Sequence, residues 1–341
     1  MLRVTAYTGG KDVPSARFRV RQYIPALARL GIDIRERPAR FGSYPPAARS
    51  LRPGWGVLAL AERLHAALGS RDADLTLLQR EMLSTFATVE RFTKAPRILD
   101  VDDAIWLLRG GQSAISLARC CDMVICGNGF IADFFRGHAP KVVVLPTPVD
   151  TDRYRPAQGV ERHMGVICWS GTSSGLPFLY GIEPALSAVL AAGPERRLRV
   201  VCDAPPHFRR IPAAQVDFVP WSENVEVTAI RDAGLAIMPL DDSPWAQGKC
   251  SYKLLTYMAC GLPIVATPVG MNRELLSSGT VGLAASTTGD WVDAIEAILN
   301  SPAQAAQMGA TGRQVVVRHY SLSTLSPRMA EILCSVVIGA N

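Results

Sequence analysis

Short apolar runs rich in β-branched residues alternate with helix-like patterns along nearly all of the 341 residues. In the first half, the runs that predict strands are residues 2–6, 74–78, 97–101, 123–126 and 142–145. Strands of parallel sheets that are covered by helices on both faces have this near-continuous apolar character. The alternation therefore predicts an α/β fold of doubly wound parallel sheets.

The segments between these runs have apolar residues at helical spacing, with favourable end signals at two places. Gly31 suits the C-cap of one helix, and Asn128 suits the N-cap of another. Helices are predicted over residues 18–30, 55–68, 83–92 and 129–135.

The alternation is interrupted between Leu145 and Pro156 by prolines and polar turn formers, which predicts a domain boundary. A second series follows, with strands predicted at residues 165–170, 198–201, 217–219, 235–238, 263–266 and 281–284. Its helices are predicted at residues 178–192, 224–232, 252–258 and 291–299, from Pro302 onward, and at 325–336. We therefore expect one Rossmann-like domain over residues 1–155, a second over 156–320, and a C-terminal helix within 321–341 that returns to the first domain.

The composition excludes several classes of protein. With 48% hydrophobic and 19% charged residues, the chain is not expected to be disordered. The net charge of +6 comes almost entirely from arginine, without a zinc-finger, RNA-recognition or basic-zipper pattern, so nucleic acid is not an expected partner. The eight cysteines include no CxxC pair, and neither a signal peptide nor a membrane-spanning run is evident. These features predict a cytoplasmic protein.

Three carboxylates, Asp100, Asp102 and Asp103, crowd the end of a predicted strand. Crowded carboxylates raise one another's pKa, which suits a proton acceptor or a site that faces a cation. Capping of a helix by Asp103 is the alternative. Gln79 and Arg80 end another predicted strand, where they either line the same cleft or form ion pairs.

A glycine-containing loop follows the first predicted strand. Gly9 and Gly10 allow the backbone to approach a ligand closely, and Arg17 and Arg19 stand near the next helix, where anions are favoured. No GxGxxG fingerprint is present. Contact with a phosphate or an acceptor and a loop of solvated arginines are both open interpretations.

Lysine is rare in this chain and occurs at only five positions: Lys11, Lys94, Lys141, Lys249 and Lys253. Two of the five flank the start of a predicted helix, where a positive side chain is electrostatically unfavourable. We therefore predict that Lys249 and Lys253 bind a polyanion such as a diphosphate. The small residues of the 170–175 loop offer backbone amides to the same kind of ligand, with helix capping by Ser173 or Ser174 as the alternative.

The segment 257–274, Tyr-Met-Ala-Cys-Gly-Leu-Pro-Ile-Val-Ala-Thr-Pro-Val-Gly-Met-Asn-Arg-Glu, resembles glycosyltransferase family 4. Residues 142–154, 218–222, 308–313 and 319–321 fit the same family, so that the resemblance covers nearly the whole chain. It implies the GT-B fold, in which two Rossmann-like domains face each other across a cleft. It also implies transfer of a hexose or related sugar from a nucleoside-diphosphate sugar to a hydroxyl of a glycan, lipid-linked or small-molecule acceptor, with retention of anomeric configuration, in polysaccharide or glycoconjugate biosynthesis.

The resemblance also implies roles for individual positions. Donor contacts are expected at Gly9, Gly10, Ser170, Gly171, Thr172, Asp203, Trp221, Gly248, Tyr252 and Thr256. Acceptor or phosphate contacts are expected at Arg17, Arg19, Gln79 and Arg80. The catalytic positions would be Asp102 and Asp103, where many members have histidine followed by aspartate, together with Lys249 and Lys253 as phosphate charges.

The sequence departs from the family at the donor site. Two glutamates eight residues apart are common in the family, and the aligned positions here are Gly248 and Thr256. Retention and inversion of configuration therefore both remain open. The scheme requires no cofactor and no metal ion, and the three aspartates at 100, 102 and 103 are the expected place for any metal that binds.

The missing glutamates favour a second interpretation, a non-catalytic nucleotide-sugar-binding protein or partner subunit. A third, a two-domain epimerase, would be expected to need more cleft acids and histidines, and only five histidines exist. The amphipathic stretch between Arg52 and Arg71 adds a further alternative, because contact with the inner face of a membrane competes with the favoured interpretation of its apolar stripe as core.

Overall fold

The computed structural model describes residues 1–83, 86–157, 159 and 162–339, and it contains two parallel six-stranded sheets. The first sheet is formed by β1 (Leu2–Thr8), β2 (Ile32–Pro38), β3 (Leu75–Gln79), β4 (Arg97–Val101), β5 (Met123–Cys126) and β6 (Val142–Val144). Its strand order is β2-β1-β3-β4-β5-β6, so the chain reverses direction across the sheet between β1 and β3. Ligands of open α/β sheets bind at such a switch point, beyond the carboxyl ends of the strands.

The second sheet is formed by β7 (His163–Ser170), β8 (Arg197–Cys202), β9 (Val216–Pro220), β10 (Ala233–Met238), β11 (Ile264–Ala266) and β12 (Gly282–Ala284). Its order is β12-β11-β10-β7-β8-β9, which places the switch point between β7 and β10. The expected α/β fold with two doubly wound parallel sheets is confirmed. One strand was not predicted: β2 is an edge strand in which four of the seven residues are charged.

The helices are α1 (Pro14–Arg19), α2 (Ile24–Arg29), α3 (Arg52–Leu68), α4 (Gln112–Arg119), α5 (Gly129–Phe135), α6 (Leu176–Gly181), α7 (Glu183–Ala191), α8 (Glu223–Arg231), α9 (Pro244–Gln247), α10 (Tyr252–Ala259), α11 (Met271–Leu276), α12 (Thr288–Leu299), α13 (Pro302–His319) and α14 (Leu322–Ile338). The helix predicted over 178–192 is two helices, because Pro184 at the start of α7 lacks the amide donor that a continuous helix needs. The helix predicted over 18–30 begins earlier, at Pro14, and is broken after Arg19.

The helix predicted over 83–92 is wrong. The described part of this segment has an isolated bridge between Leu83 and Phe86 and a 3₁₀ turn at Glu90–Phe92, while residues 84 and 85 lie outside the described residues. Glu90 explains the irregular path, because its buried carboxylate accepts the backbone amides of Met82 and Thr88. A buried acceptor of this kind replaces the hydrogen bonds that a helix would have made.

The chain forms two compact units, each with its own core. The first comprises Met1–Pro148, the tripeptide Gly248–Cys250 and the described residues from Leu322, and the second comprises Val149–Gln247 and Ser251–Ser321. The core of the first unit includes Leu325, Met329 and Leu333 of α14, which packs against α2. Of the predicted domain ranges, residues 84, 85, 158, 160, 161, 340 and 341 lie outside the described residues.

Helix α3 buries the face opposite to the one that its sequence pattern favoured for burial. Ala59, Arg63 and Ala67 are its buried side chains, whereas the apolar stripe that was expected to join the core is exposed. No single helix in the described part of the chain is long and apolar enough to span a bilayer. The segments Ser173–Gly181 and Glu183–Ala191 meet that criterion only together, as a pair bent by 69°.

Candidate functional site

The polar residues at the carboxyl edge of the first sheet form two ion-pair groups. In the first, Arg19 donates to Asp100 from Nε and from Nη2, at 2.9 and 2.7 Å. The same guanidinium donates to the carbonyl of Leu145 at 2.9 Å, and both charged side chains are fully buried. Burial opposes the charge of Arg19, but the carboxylate of Asp100 outweighs it and raises the pKa of the guanidinium.

This pair corrects one site prediction. Arg19 was expected to contact an acceptor or a phosphate, but its donors are satisfied inside the unit and its side chain is inaccessible. Asp100 is equally committed, so it does not face a cleft. The pair is a structural support for the ends of β4 and β6.

The second group contains Arg80, Asp102, Asp103 and Lys249. Arg80 donates from Nε to Asp102 at 2.7 Å and from Nη2 to Asp103 at 2.5 Å, and Lys249 Nζ lies 2.9 Å from the other oxygen of Asp103. Arg80 reaches both acids from a left-handed backbone conformation, with φ of +60°. Such a conformation in a residue other than glycine marks a strained position.

The electrostatics of this group overturn the expected pKa shift for Asp103. Burial by itself would raise the pKa of Asp103, but the charges of Arg80 and Lys249 prevail and hold it below the usual range. Asp103 is therefore an ionised carboxylate. Its partners also revise the role of Lys249, because the ammonium group that was expected to bind phosphate is engaged by Asp103.

The three aspartates, which were named as the place for any metal that binds, are each paired with an arginine. Asp100 pairs with Arg19, and Asp102 and Asp103 pair with Arg80. Among the described residues, no group of three or more histidine, cysteine, aspartate or glutamate side chains is placed to hold a metal ion.

The tripeptide Gly248–Cys250 is held close to the acids by tight packing. An added Cβ on Gly248 would lie 2.6 Å from Cβ of Ala104, and one on Gly127 would overlap Sγ of Cys250. Asn128 donates from its side-chain amide to the carbonyl of Lys249 at 3.1 Å. Gly248, predicted to contact the donor, is therefore required here for close backbone approach to Ala104.

The remaining predicted residues of the first unit lie near the β1–β3 switch point. Gly9 and Gly10 follow β1, and Gly10, with φ of +150°, accepts a hydrogen bond from Arg21 at its carbonyl, at 2.6 Å. Gln79 ends β3 with its side chain buried and its Nε2 without a hydrogen-bond partner. The guanidinium of Arg17 lies 4.4 Å from the ring centroid of Phe18.

In the second unit, the loop after β7 contacts the first turn of α10. Lys253, the second residue of α10, lies with Nζ 4.9 Å from the ring centroid of Trp169. An added Cβ on Gly171 would overlap the Trp169 ring and lie 2.6 Å from Nζ of Lys253. Gly171, the tryptophan ring and the lysine therefore form one packed group at the switch point of the sheet.

Two further side chains fix the same loop. The backbone amide of Ser170 donates to the hydroxyl of Tyr257 at 2.7 Å, and that hydroxyl lies 3.3 Å from the carbonyl of Ser170. Asp203, at the end of β8, accepts from the amide and hydroxyl of Ser173, at 2.5 and 3.0 Å. Burial tends to raise the pKa of Asp203, but these hydrogen bonds prevail and lower it.

Asp203 was expected near the base of a nucleotide, and its observed partners show that it positions the 170–175 loop. Trp169 and Tyr257 were not predicted as site residues. Tyr257 could have been found from the motif that carries the resemblance, whereas the stacking of Trp169 on Lys253 depends on tertiary structure.

The other expected donor residues differ in accessibility. Thr172 and Trp221 are exposed, Tyr252 is half-buried, and the hydroxyls of Thr172 and Ser174 are 2.8 Å apart. Thr256 was expected to contact the sugar donor, but its side chain is buried and its hydroxyl donates to the carbonyl of Lys253 at 2.8 Å. The hydrogen of this hydroxyl is therefore committed within α10.

A family model described as "Glycosyl transferases group 1" matches residues 177–301, which run from the second residue of α6 through the whole of α12 to Ser301. Apart from Gly248–Cys250, which belongs to the first unit, this match lies within the second unit, and it includes Lys253 and Tyr257. No curated protein sequence matches the chain.

Solved structures match over the whole chain at low sequence identity. Sucrose-phosphate synthase from Thermosynechococcus elongatus is 15% identical with a TM-score of 0.72, and the match covers 100% of both chains. HepE of Anabaena in complex with UDP and glucose is 14% identical with a TM-score of 0.73, covering 98% of this chain and 100% of that one. WaaG, a glycosyltransferase involved in lipopolysaccharide biosynthesis, is 15% identical with a TM-score of 0.62, covering 98% and 99%. The chain has the GT-B fold, and its residues 177–301 carry the group 1 glycosyl transferase match.

Proposed function

We propose that this protein is a glycosyltransferase that moves a hexose or related sugar from a nucleoside-diphosphate sugar to an acceptor hydroxyl. The observation that carries the proposal is the packed group of Gly171, Trp169 and Lys253 at the switch point of the second sheet. Gly171 has no side chain, the start of α10 offers backbone amides, and Lys253 offers a positive charge. Together these features are favourable for binding a diphosphate. HepE, which has the same fold, was solved with UDP and with UDP-glucose, and this supports a uridine diphosphate donor.

In this proposal the bond between the anomeric carbon and the diphosphate oxygen breaks, and the nucleoside diphosphate leaves with the electron pair. Lys253 and the amides at the start of α10 stabilise the negative charge that develops on the leaving group. The acceptor oxygen forms the new bond to the anomeric carbon. We assign the acceptor to the first unit, where the carboxylate of Asp102, oriented by Arg80, accepts the hydroxyl proton.

The proposed scheme requires no cofactor and no metal ion, since Lys253 and the amides supply the charge stabilisation. The acceptor class is a hydroxyl of a glycan, a lipid-linked sugar or a small molecule. We propose that the anomeric configuration is retained, as the resemblance implies. Proton NMR tests this point by identifying which anomer is released early in the reaction.

The test is a screen for release or transfer of sugar from a panel of nucleotide sugars. The wild type is expected to act on at least one donor, and Asp102→Asn is expected to lose turnover while it still binds the nucleoside diphosphate. Lys141→Ala, which removes an exposed lysine of the first unit, is the matched control.

The second candidate is a nucleotide-sugar-binding protein without transferase activity. It is favoured by the two positions where the family's glutamates are replaced, because Gly248 packs on Ala104 and Thr256 is buried. Binding of a nucleotide sugar with no release or transfer from any donor in the panel would support this candidate against the transferase.

A further inference from the structure

The outward surface of α3 is a stripe of aliphatic side chains, named here the α3 stripe. Its members are Val57, Leu58, Leu60, Leu64 and Leu68, with exposed fractions of 70, 55, 41, 37 and 46%. Residues three, four and seven positions apart share a helix face, which places Val57, Leu60, Leu64 and Leu68 together, and Leu58 borders this face beside Val57. A surface helix of a globular protein normally turns such a face toward the core.

The inward face of α3 is held in place by specific hydrogen bonds. The fully buried guanidinium of Arg63 donates to the carbonyl of Thr8 at 2.6 Å and to that of Arg37 at 3.0 Å. Tyr7 donates from its hydroxyl to the carbonyl of Ala66 at 2.7 Å. Rotation of the helix to bury its leucines would break these bonds and leave polar groups unpaired. The exposure of the stripe is therefore a property of the folded unit.

Arginines outnumber acids at the two ends of the α3 stripe, where the exposed acid is Asp72, next to Arg71. Arg49 and Arg52 are exposed at its amino-terminal end, and Arg71 is exposed just beyond its carboxyl-terminal end. The single acid on the helix, Glu62, is only 18% exposed in its side chain and lies 3.6 Å from Nε of Arg63. The solvent-facing side of α3 thus presents aliphatic groups between guanidinium groups.

We propose that α3 is a docking surface for a lipid bilayer with anionic headgroups. The helix lies in the plane of the interface, with the aliphatic side chains of the α3 stripe at the boundary of headgroups and acyl chains, while the arginines pair with lipid phosphates. A second copy of this chain fits less well, because the exposed Arg49, Arg52 and Arg71 outnumber the acid Asp72, and an identical surface does not neutralise this excess as anionic headgroups do.

Co-sedimentation with vesicles tests this surface directly. We expect the wild type to bind phosphatidylcholine vesicles that contain phosphatidylglycerol, and to bind pure phosphatidylcholine much more weakly. The double variant Leu58→Gln and Leu64→Gln should reduce partitioning at least tenfold. The double variant Arg49→Gln and Arg71→Gln should reduce it by about fivefold for each arginine.

The matched control is Leu30→Gln with Val225→Gln, which removes two exposed aliphatic side chains, 49 and 41% exposed, that are not part of α3. It should bind vesicles like the wild type. All variants should bind UDP in solution like the wild type, so this result is separable from the donor proposal. Absence of wild-type binding to the anionic vesicles would overturn the proposal, as would equal loss in the control. A wild-type dimer in light scattering that the α3 leucine variant dissociates would assign the stripe to a second copy instead.

Discussion

Lys253 holds its ammonium nitrogen 4.9 Å from the centre of the Trp169 ring, and Gly171 lies against both side chains. A lysine in the first turn of a helix opposes the helix dipole, so its position needs a compensating interaction. The electron-rich face of the tryptophan supplies part of that compensation. The diphosphate in our proposal would add to it.

Replacing Gly171 with alanine tests the tightness of this group. The new methyl group would overlap the Trp169 ring and lie 2.6 Å from Nζ of Lys253, so one of them must move. We expect a loss of about 1 to 3 kcal/mol in the free energy of unfolding, measured in urea, and weaker UDP binding. Gly181→Ala is the control, because no atom lies within 4 Å of its added Cβ. Equal effects of the two substitutions would contradict the packing described.

Asp100→Asn tests the buried pair with Arg19. The variant leaves a fully buried guanidinium without its charged partner, which typically costs about 3 to 5 kcal/mol. Urea unfolding should show this loss. Asp33→Asn, which breaks the exposed pair with Arg35, should have a much smaller effect. Wild-type stability in Asp100→Asn would show that the pair does not support the fold.

The ion pairs of Asp103 predict a dependence of stability on pH. Because the pKa of Asp103 is lowered in the folded protein, its contribution is present above the unfolded value of about 3.9 and is lost as pH falls through the folded value. Asp103→Asn should therefore be less stable than the wild type at pH 7, and the difference should shrink below about pH 4. Unfolding followed by tryptophan fluorescence at several pH values measures the difference. If the difference in stability between the wild type and Asp103→Asn grows as the pH falls, the pKa of Asp103 is raised in the folded protein instead.

Chelation provides a test of the metal-free scheme. Sugar transfer should be unchanged after EDTA treatment and gel filtration, because the proposed charge stabilisation comes from Lys253 and backbone amides. Thermal unfolding under the same conditions controls for effects on folding. Activity that is lost with EDTA and restored by magnesium or manganese would contradict this part of the account.

The strands were the most predictable part of the fold. Residues 97–101 and 123–126 match β4 and β5 in both bounds, because strands at the centre of a parallel sheet are apolar on both faces. The edge strand β2 has charged residues between its apolar ones, and the pattern does not distinguish this from a loop. Irregular turns such as the one built around Glu90 depend on contacts that local patterns do not contain.

The candidate site was predictable in position but only partly in role. Its loops follow strands, as the switch-point rule requires, and the first-turn position of Lys253 was correctly predicted. Arg19 could not be distinguished from an exposed arginine, because its partner Asp100 is 81 residues away. The face of α3 was misassigned because a helical pattern gives the apolar side and not the direction in which it points.

The most direct test of the central claim is calorimetric titration of UDP and GDP into the wild type, Lys253→Ala, Lys249→Ala and the Lys141→Ala control. We predict that the wild type binds at least one of the two, and that Lys253→Ala weakens this binding roughly 10- to 100-fold, the loss of a charge-assisted phosphate contact. Lys249→Ala should have a smaller effect, because its ammonium group is paired with Asp103, and Lys141→Ala should have none. Undiminished nucleotide binding by Lys253→Ala, or no binding by the wild type, would contradict the claim.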